Sequence, residues 1–376
     1  MGTLTLIVVG VVLLGVMATA NIADQGRKKE VAASLRSDEA GTPEDWYDPD
    51  VRRRAWARQI TPWLLVGLNV LLLCNGFSYL MTASIPSALW EAVEGTFEQP
   101  GAAVPTMAQA SGAMVVTLLT AVGASVLLFP QVRQAIARAQ ILSPAFDPDS
   151  TMHMLALVYC VYLVGAAGLQ FALLGDLEEL ASAIDQASVV QSLVVQAVLF
   201  YAVAAVGVGI PQRRTWREAL ERLGLVKPAA WHVALGVGAA LVMLAFQYLV
   251  MVIWLLLAGE EAFAEQTRAA EALSGGFDSL LVAGIVAFLT ATSEEVAFRG
   301  ALQPVLGIGL TSIVFALVHT QYGLTPATVV ILALAVVLGM IRNWTNTTTA
   351  IVCHFMYNFA GLAMSILARN VTEGLV

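Results

Sequence analysis

The feature that most constrains this chain is a series of long apolar runs with very few charged residues. A helix needs about 20 residues to cross about 30 Å of hydrocarbon. Backbone polar groups in lipid must be hydrogen-bonded within the segment, so each run is predicted to be a helix. The runs lie at residues 3–23, 61–84, 111–130, 152–174, 188–210, 230–258, 279–298, 308–323, 326–342 and 348–368.

The composition agrees with that of a membrane protein. Of its 376 residues, 58% are hydrophobic and 12% are charged, whereas a soluble domain carries about 25% charged residues. Such a chain could not cover its surface in water, which excludes a soluble enzyme and a nucleic-acid binder. We therefore predict an all-α, polytopic transmembrane helical bundle of about 8–10 spans.

The sequence divides into three parts. Residues 1–150 are expected to form an N-terminal anchor, a basic cytoplasmic segment and extra spans. Residues 151–229 add connecting spans and an amphipathic interfacial helix, and residues 230–376 form a membrane domain that carries the unusual polar residues. The basic residues of the first part follow the first apolar run, which favours a retained anchor over a cleaved signal peptide.

The charges of the connecting segments alternate along the chain. Lys and Arg concentrate in the segments 24–60, 131–151 and 211–229, while acidic residues dominate 85–110, 175–187 and 259–278. Basic segments face the cytoplasm in most membrane proteins. This pattern predicts that the three basic segments share the cytoplasmic side, in what we expect to be a bacterial inner membrane.

The first polar motif is Glu294-Glu295-x-x-x-Arg299. An ionisable group inside a membrane costs free energy, so its presence there indicates a functional role. Glu295 and Arg299 are four residues apart and can pair on one helical face. Glu294 points about 100° away from that face, so it has no basic partner of its own and suits a general base. The alternative is a helix end at which both acids reach water.

The second motif is Phe315-x-x-x-His319. This spacing places the ring beside the imidazole on one helical face. A helix that restarts near Leu310, after Pro304, Gly307 and Gly309, would carry His319 roughly 13 Å into the bilayer. A single buried histidine is more often structural than catalytic. This motif therefore indicates catalysis only if other catalytic groups lie near it.

The third motif is His354-x-x-x-Asn358. Both side chains can donate hydrogen bonds, and together they could hold an oxyanion or a metal-bound water. The alternative is a hydrogen-bonding pair that joins two helices. The three motifs together supply a carboxylate base, two histidines and an amide, which are the parts needed to hydrolyse a peptide bond with an activated water.

These motifs resemble the CPBP family of intramembrane proteases, which includes the Rce1-type CAAX prenyl endopeptidases and the bacterial Abi proteins. The family carries EExxxR, FxxxH and HxxxN in this order on separate transmembrane helices, and the resemblance covers roughly 230–368. It implies that Glu294 activates water with help from His319, and that His354 and Asn358 stabilise the oxyanion. It also implies supporting roles for Glu295, Arg299 and Phe315.

The resemblance leaves the cofactor open. A metal-free glutamate-and-water mechanism is the favoured interpretation, but Glu294, His319 and His354 would also make a plausible zinc set. The expected partners are the lipid bilayer and a membrane-associated protein or peptide substrate. Two other classes stay open: a proton- or ion-coupled transporter that uses the same residues as a relay, and a non-catalytic membrane scaffold.

Overall fold

A computed structural model describes residues 3–26, 48–86, 89, 104–174, 186–274, 279–319 and 325–373. Within these ranges the chain is helical and contains no strand. The helices are α1 (Thr3–Ala23), α2 (Pro49–Ala83), α3 (Met107–Val126), α4 (Pro130–Arg138), α5 (Thr151–Leu174), α6 (Gln186–Val208), α7 (Trp216–Leu223), α8 (Ala230–Ser274), α9 (Leu280–Glu295), α10 (Gln303–Leu317), α11 (Pro326–Trp344) and α12 (Thr347–Glu373), with a π-helical segment, Val296–Leu302, between α9 and α10.

The described helices include eight that are long and apolar enough to cross a membrane. Their apolar stretches are Pro49–Ala83, Met107–Val126, Thr151–Leu173, Val190–Val208, Ala230–Ala264, Leu280–Leu317, Pro326–Trp344 and Thr347–Val371. The chain is thus an integral, multi-pass membrane protein, and the predicted all-α polytopic bundle is confirmed.

The run from α9 to α10 differs from the prediction. The sequence suggested one span at 279–298 and a new helix from about Leu310, but the helix continues through the π-helical segment and is interrupted at Gly307. Gly307 has φ 81° and ψ 169°, a conformation that glycine adopts without steric cost. Pro304 lies directly after the π-helical segment, and the helical run continues through it. Glu294 therefore lies well inside a helical run. The predicted span, 279–298, would have placed it near the end of the helix.

One end of the bundle collects the basic segments. Asp24, just after α1, accepts hydrogen bonds from the Ser150 hydroxyl at 2.5 Å and from the backbone N–H groups of Thr151 and Met152 at 3.0 Å each. Its carboxylate also lies 3.9 Å from Arg213. Three segments predicted to share one side of the membrane thus meet around a single carboxylate. We call this the basic end of the bundle.

Helix α7 lies at the basic end, and hydrogen bonds connect its carboxyl end to the start of α12. Thr347 donates its backbone N–H to the Gly224 carbonyl at 3.1 Å and its hydroxyl to the Leu223 carbonyl at 2.5 Å. Leu223 is buried, whereas Trp216 at the start of α7 is exposed. The predicted amphipathic helix is therefore present, and it is fixed to the bundle at its carboxyl end.

The N-terminal spans belong to the same core as the polar motifs. Leu13 and Val16 of α1 are buried in the hydrophobic cluster that also contains Leu155 of α5 and the rings of Phe298 and Phe315. The described helix α1 therefore packs in the same core as the membrane domain, and the boundaries of the three predicted parts remain a prediction.

Candidate active site

The three motifs converge on one buried place inside the bundle. Glu294 and Glu295 lie at the end of α9, and α9 packs along α12, which carries His354. His319 lies two residues after Leu317, the last residue of α10. The structure thus brings together Glu294, Glu295, Arg299, Phe315, His319 and His354, all predicted as site residues.

Glu294 faces both histidines through the same oxygen atom. Its Oε2 lies 3.8 Å from Nε2 of His319 and 4.0 Å from Nε2 of His354, and the side chains are 6%, 17% and 4% exposed, respectively. These distances exceed those of a direct hydrogen bond, but a water about 2.8 Å from each atom spans such a gap. Oε2 accepts no hydrogen bond from any residue that the structure describes. The distances are therefore compatible with a water that bridges the carboxylate and an imidazole.

The other nitrogen of each imidazole is already engaged. Nδ1 of His319 lies 2.6 Å from the carbonyl oxygen of Phe315, and Nδ1 of His354 lies 3.0 Å from Oε1 of Glu295. A carbonyl or carboxylate oxygen accepts hydrogen bonds, so each Nδ1 carries the proton. This fixes both rings with Nε2 turned toward Glu294.

The ion pair expected between Glu295 and Arg299 is present and fully buried. Nε of Arg299 lies 3.4 Å from Oε2 of Glu295, and its Nη2 donates to the Ala335 carbonyl at 3.2 Å. Its guanidinium carbon stands 4.7 Å from the centre of the Phe315 ring, a distance at which cation and π-system attract. Glu295 is thus occupied by Arg299 and His354, which leaves Glu294 as the carboxylate without an arginine partner among the described residues.

Phe315 packs against both charged and aromatic groups of the site. Its ring centre lies 4.5 Å from the ring of His319, 5.9 Å from that of His354 and 5.1 Å from that of Phe298. The expected contact with the imidazole is therefore present.

No hydrogen bond joins Asn358 to the described residues of this group. It lies one helical turn after His354 on α12 and is half-buried, without a hydrogen bond to the described residues. Its role as an oxyanion donor stays a prediction.

Gln196 of α6 is a contact that the motifs did not indicate. Its Nε2 lies 3.5 Å from Oε1 of Glu294 and donates toward it, so the two oxygens of Glu294 face different partners. A polar residue within the apolar run 188–210 was the available signal. The sequence could not tell that this side of α6 faces α9.

The residues do not form a ready zinc site. Among the described residues, no group of three or more His, Cys, Asp and Glu side chains is close enough to hold a metal ion. Ligand atoms of a tetrahedral zinc lie about 3.4 Å apart, given bonds of about 2.1 Å. Oε2 of Glu294 is farther than that from both histidine nitrogens, at 3.8 and 4.0 Å.

The comparison with protein families agrees with the motifs. Residues 276–360 match the family model of the type II CAAX prenyl endopeptidases, Rce1-like. This region is similar to the Rce1-like proteases. The matched region contains all three motifs, so the match confirms the resemblance to the CPBP and CAAX protease family. At the level of the family it implies a membrane protease. Comparison with curated proteins and with solved structures gave no match.

Proposed function

We propose that this chain is an intramembrane endopeptidase that hydrolyses a peptide bond of a membrane-associated protein or peptide. The observation that carries the proposal is the position of Glu294 Oε2, buried and facing Nε2 of both His319 and His354. A carboxylate that faces two imidazoles at water-bridging distance is suited to general-base hydrolysis. The similarity to the Rce1-like proteases supports the same reaction class.

In the proposed reaction, Glu294 and His319 activate the water. The water is held between Oε2 of Glu294 and Nε2 of His319, and Glu294 takes one of its protons as the oxygen attacks the scissile carbonyl carbon. The C–N bond then breaks, and the proton is passed to the leaving amine. Gln196 holds the other carboxylate oxygen, so Oε2 stays turned toward the water.

His354 is assigned to the developing oxyanion. Its Nδ1 is held by Oε1 of Glu295, and its Nε2 faces the space beside Oε2 of Glu294. From that position Nε2, when it carries a proton, can donate to an oxyanion formed in this space. Asn358 is assigned to the same oxyanion, one turn further along α12.

The depth of the site suggests the side from which the substrate arrives. His354 lies seven residues after the first residue of α12, Thr347, at the basic end, or about 10 Å of helix. We assign the basic end to the cytoplasmic side of a bacterial inner membrane because of its basic segments. The substrate bond would then be cut close to the cytoplasmic surface.

The test is a comparison of membrane proteins from native cells that express the wild type or Glu294→Gln at matched levels. The exposed Glu261→Gln on α8 removes a carboxylate far from the site and serves as the control. We expect defined membrane-attached proteins to accumulate as longer precursors with Glu294→Gln only.

Two results would contradict the proposal. If no precursor accumulates although Glu294→Gln is inserted and folded like the wild type, Glu294 is not a catalytic base. If the variant instead alters a proton or ion flux in vesicles, the transporter alternative replaces the peptidase.

A further inference from the structure

Four arginines gather at the basic end, outside the candidate active site. Arg213 and Arg214 follow α6, Arg222 lies on α7 and Arg342 lies in the last turn of α11. Burial, together with the charges of Arg214, Arg342 and Arg213, lowers the pKa of Arg222 to about 10. A side chain at Gly224 would lie 3.1 Å from the guanidinium carbon of Arg342, so this group rests against the end of α7. We call these four residues the arginine cluster.

The acids near the cluster are engaged elsewhere. Asp24 lies 3.9 Å from Arg213, but its oxygens already accept the hydrogen bonds at the start of α5. Glu221 pairs with the exposed Arg217 at 3.2 Å. Glu218 accepts from Thr215 at the start of α7. Among the described residues, the ion pair that reaches the cluster joins Asp24 to Arg213, so the described residues leave the four guanidinium groups with an excess of positive charge.

Donors of the cluster also lack acceptors. The Nε atoms of Arg213 and Arg342 are buried, and neither donates a hydrogen bond to the described residues. A buried donor without a partner costs free energy that a ligand with acceptor oxygens would recover. Arginine side chains bind phosphate groups particularly well, because their planar donors match the phosphate oxygens.

Tryptophans place the cluster at the level of the lipid headgroups. Trp216 of α7, Trp231 at the start of α8 and Trp344 at the end of α11 are 65%, 60% and 66% exposed. Exposed tryptophans concentrate at the membrane–water interface of membrane proteins. All three belong to elements that meet at the basic end, so the cluster lies where phosphate groups of lipids are abundant.

We propose that the arginine cluster binds the phosphate group of an anionic lipid, and that this lipid braces the π-helical segment. The link is Arg222, whose Nη1 donates to the Gly300 carbonyl at 3.0 Å. A side chain at Gly300 would lie 3.0 Å from the Leu223 carbonyl oxygen, so α7 and the π-helical segment are in backbone contact. Gly300 directly follows Arg299, the partner of Glu295. A headgroup that neutralises the cluster would hold Arg222 on this carbonyl.

The test measures lipid binding to the full-length protein in neutral detergent micelles by native mass spectrometry. Phosphatidylglycerol is compared with phosphatidylcholine of the same acyl chains. The variants are Arg342→Gln and the double variant Arg213→Gln/Arg342→Gln. The matched control, Arg217→Gln/Lys227→Gln, removes the same charge from exposed positions of the same region.

We expect the wild type and the control to retain phosphatidylglycerol in preference to phosphatidylcholine. Each arginine near an anionic lipid is worth about fivefold in affinity, so the double variant should bind about 25-fold more weakly. Arg342→Gln alone should show about a fivefold loss, which keeps the test valid if the double variant fails to fold. Unchanged binding by folded variants would overturn the proposal.

Two further measurements separate the source of the phosphate and the link to the π-helical segment. Millimolar inorganic phosphate should not displace the lipid; full displacement would assign the site to a soluble phosphate and overturn the lipid proposal. Phosphatidylglycerol should slow amide hydrogen exchange at 296–302 in the wild type and the control, but not in the double variant. Binding without this slowing would overturn the bracing of the π-helical segment. These readouts do not involve peptide cleavage, so they stand apart from the proposed peptidase function.

Discussion

Nδ1 of His354 lies 3.0 Å from Oε1 of Glu295, the carboxylate that also pairs with Arg299. Nε2 of the same imidazole faces Oε2 of the neighbouring Glu294 at 4.0 Å. The two adjacent carboxylates thus have different roles. Glu295 orients His354 and compensates Arg299, while Glu294 is left to face the space between the histidines.

We expect Glu295→Gln to destabilise the protein strongly. Arg299 is fully buried, and removing one member of a buried ion pair costs about 3–5 kcal/mol because the other charge stays uncompensated. The free energy of unfolding, measured with a denaturing detergent, should fall by about this amount. A fall of well under about 1 kcal/mol would show that the pair contributes little.

A double variant separates the stability of the pair from its effect on His354. Glu295→Gln/Arg299→Met replaces both charges, which is often close to neutral for a buried pair. We expect most of the lost stability to return. Cleavage should be lost, because Nδ1 of His354 no longer donates to a negatively charged group. Recovery of cleavage in this variant would contradict the need for a carboxylate beside His354, since the amide oxygen of Gln can also accept from Nδ1–H.

Glu294→Gln should behave in the opposite way from Glu295→Gln. Oε2 of Glu294 accepts no hydrogen bond from the described residues, and the amide has nearly the same shape, so the free energy of unfolding should change by less than about 1 kcal/mol. Loss of a general base should lower the cleavage rate by about 10²–10⁴-fold. Thermal unfolding and cleavage are measured on the same preparation. A variant that cleaves normally, or that unfolds like Glu295→Gln, would contradict the division of roles.

The sequence was sufficient for the parts of the site that depend on helical spacing. Four-residue spacing predicted that Glu295 would reach Arg299 and that Phe315 would contact His319, and both contacts are present. Apolar run lengths likewise predicted most of the spans, although the runs at 279–298 and 308–323 belong to one helical stretch, Leu280–Leu317. These features are local, because helix geometry alone decides which side chains share a face.

The features that the sequence did not reveal depend on distant parts of the chain. Gly307 was one of three possible breaks, and its closeness to Ser143, whose backbone nitrogen would lie 3.3 Å from a side chain there, is a tertiary contact. The contact between Gln196 and Glu294 joins residues 98 positions apart. No periodicity within one helix encodes which neighbouring helix its polar residue will meet.

Gln196→Leu should slow cleavage without weakening substrate binding. Gln196 acts through Glu294 and is not expected to touch the substrate, so kcat should fall about tenfold, as for the loss of one hydrogen bond to a charged group, while KM stays constant. The exposed Gln191→Leu on the same helix is the control. Both variants are assayed on a substrate identified through precursor accumulation. A change confined to KM would contradict the positioning role.

The purified protein is expected to contain far less than one zinc per chain and to keep its activity in the presence of metal chelators. The reason is geometric, because Oε2 of Glu294 lies 3.8 and 4.0 Å from the two histidine nitrogens, farther than the roughly 3.4 Å of a tetrahedral zinc site. Metal content is measured by elemental mass spectrometry together with cleavage. Stoichiometric zinc whose removal abolishes activity and whose return restores it would contradict the metal-free mechanism.

Gly339 is the close contact between α10 and α11. A Cβ there would lie 2.9 Å from Cγ2 of Ile308 and 3.0 Å from Oε1 of Gln303. Gln303 also donates to the Gly339 carbonyl and to Oδ1 of Asn343, each at 2.9 Å. Because Ile308 is branched at Cβ, it has little freedom to move its methyl group aside. A larger residue at Gly339 would therefore push the two helices apart.

We expect Gly339→Ala to lower the free energy of unfolding by about 1–3 kcal/mol, the usual cost of overpacking. It should also slow cleavage, because Ile308 is the first residue after the interruption at Gly307, in the part of α10 that leads to His319. Gly238→Ala on α8 is the matched control, since no atom lies within 4 Å of a Cβ at that position. In open space this change removes the entropic cost of a helical glycine, so the control should be as stable as the wild type or up to about 1 kcal/mol more stable. Equal stability of the two variants would show that α10 and α11 can separate at no cost.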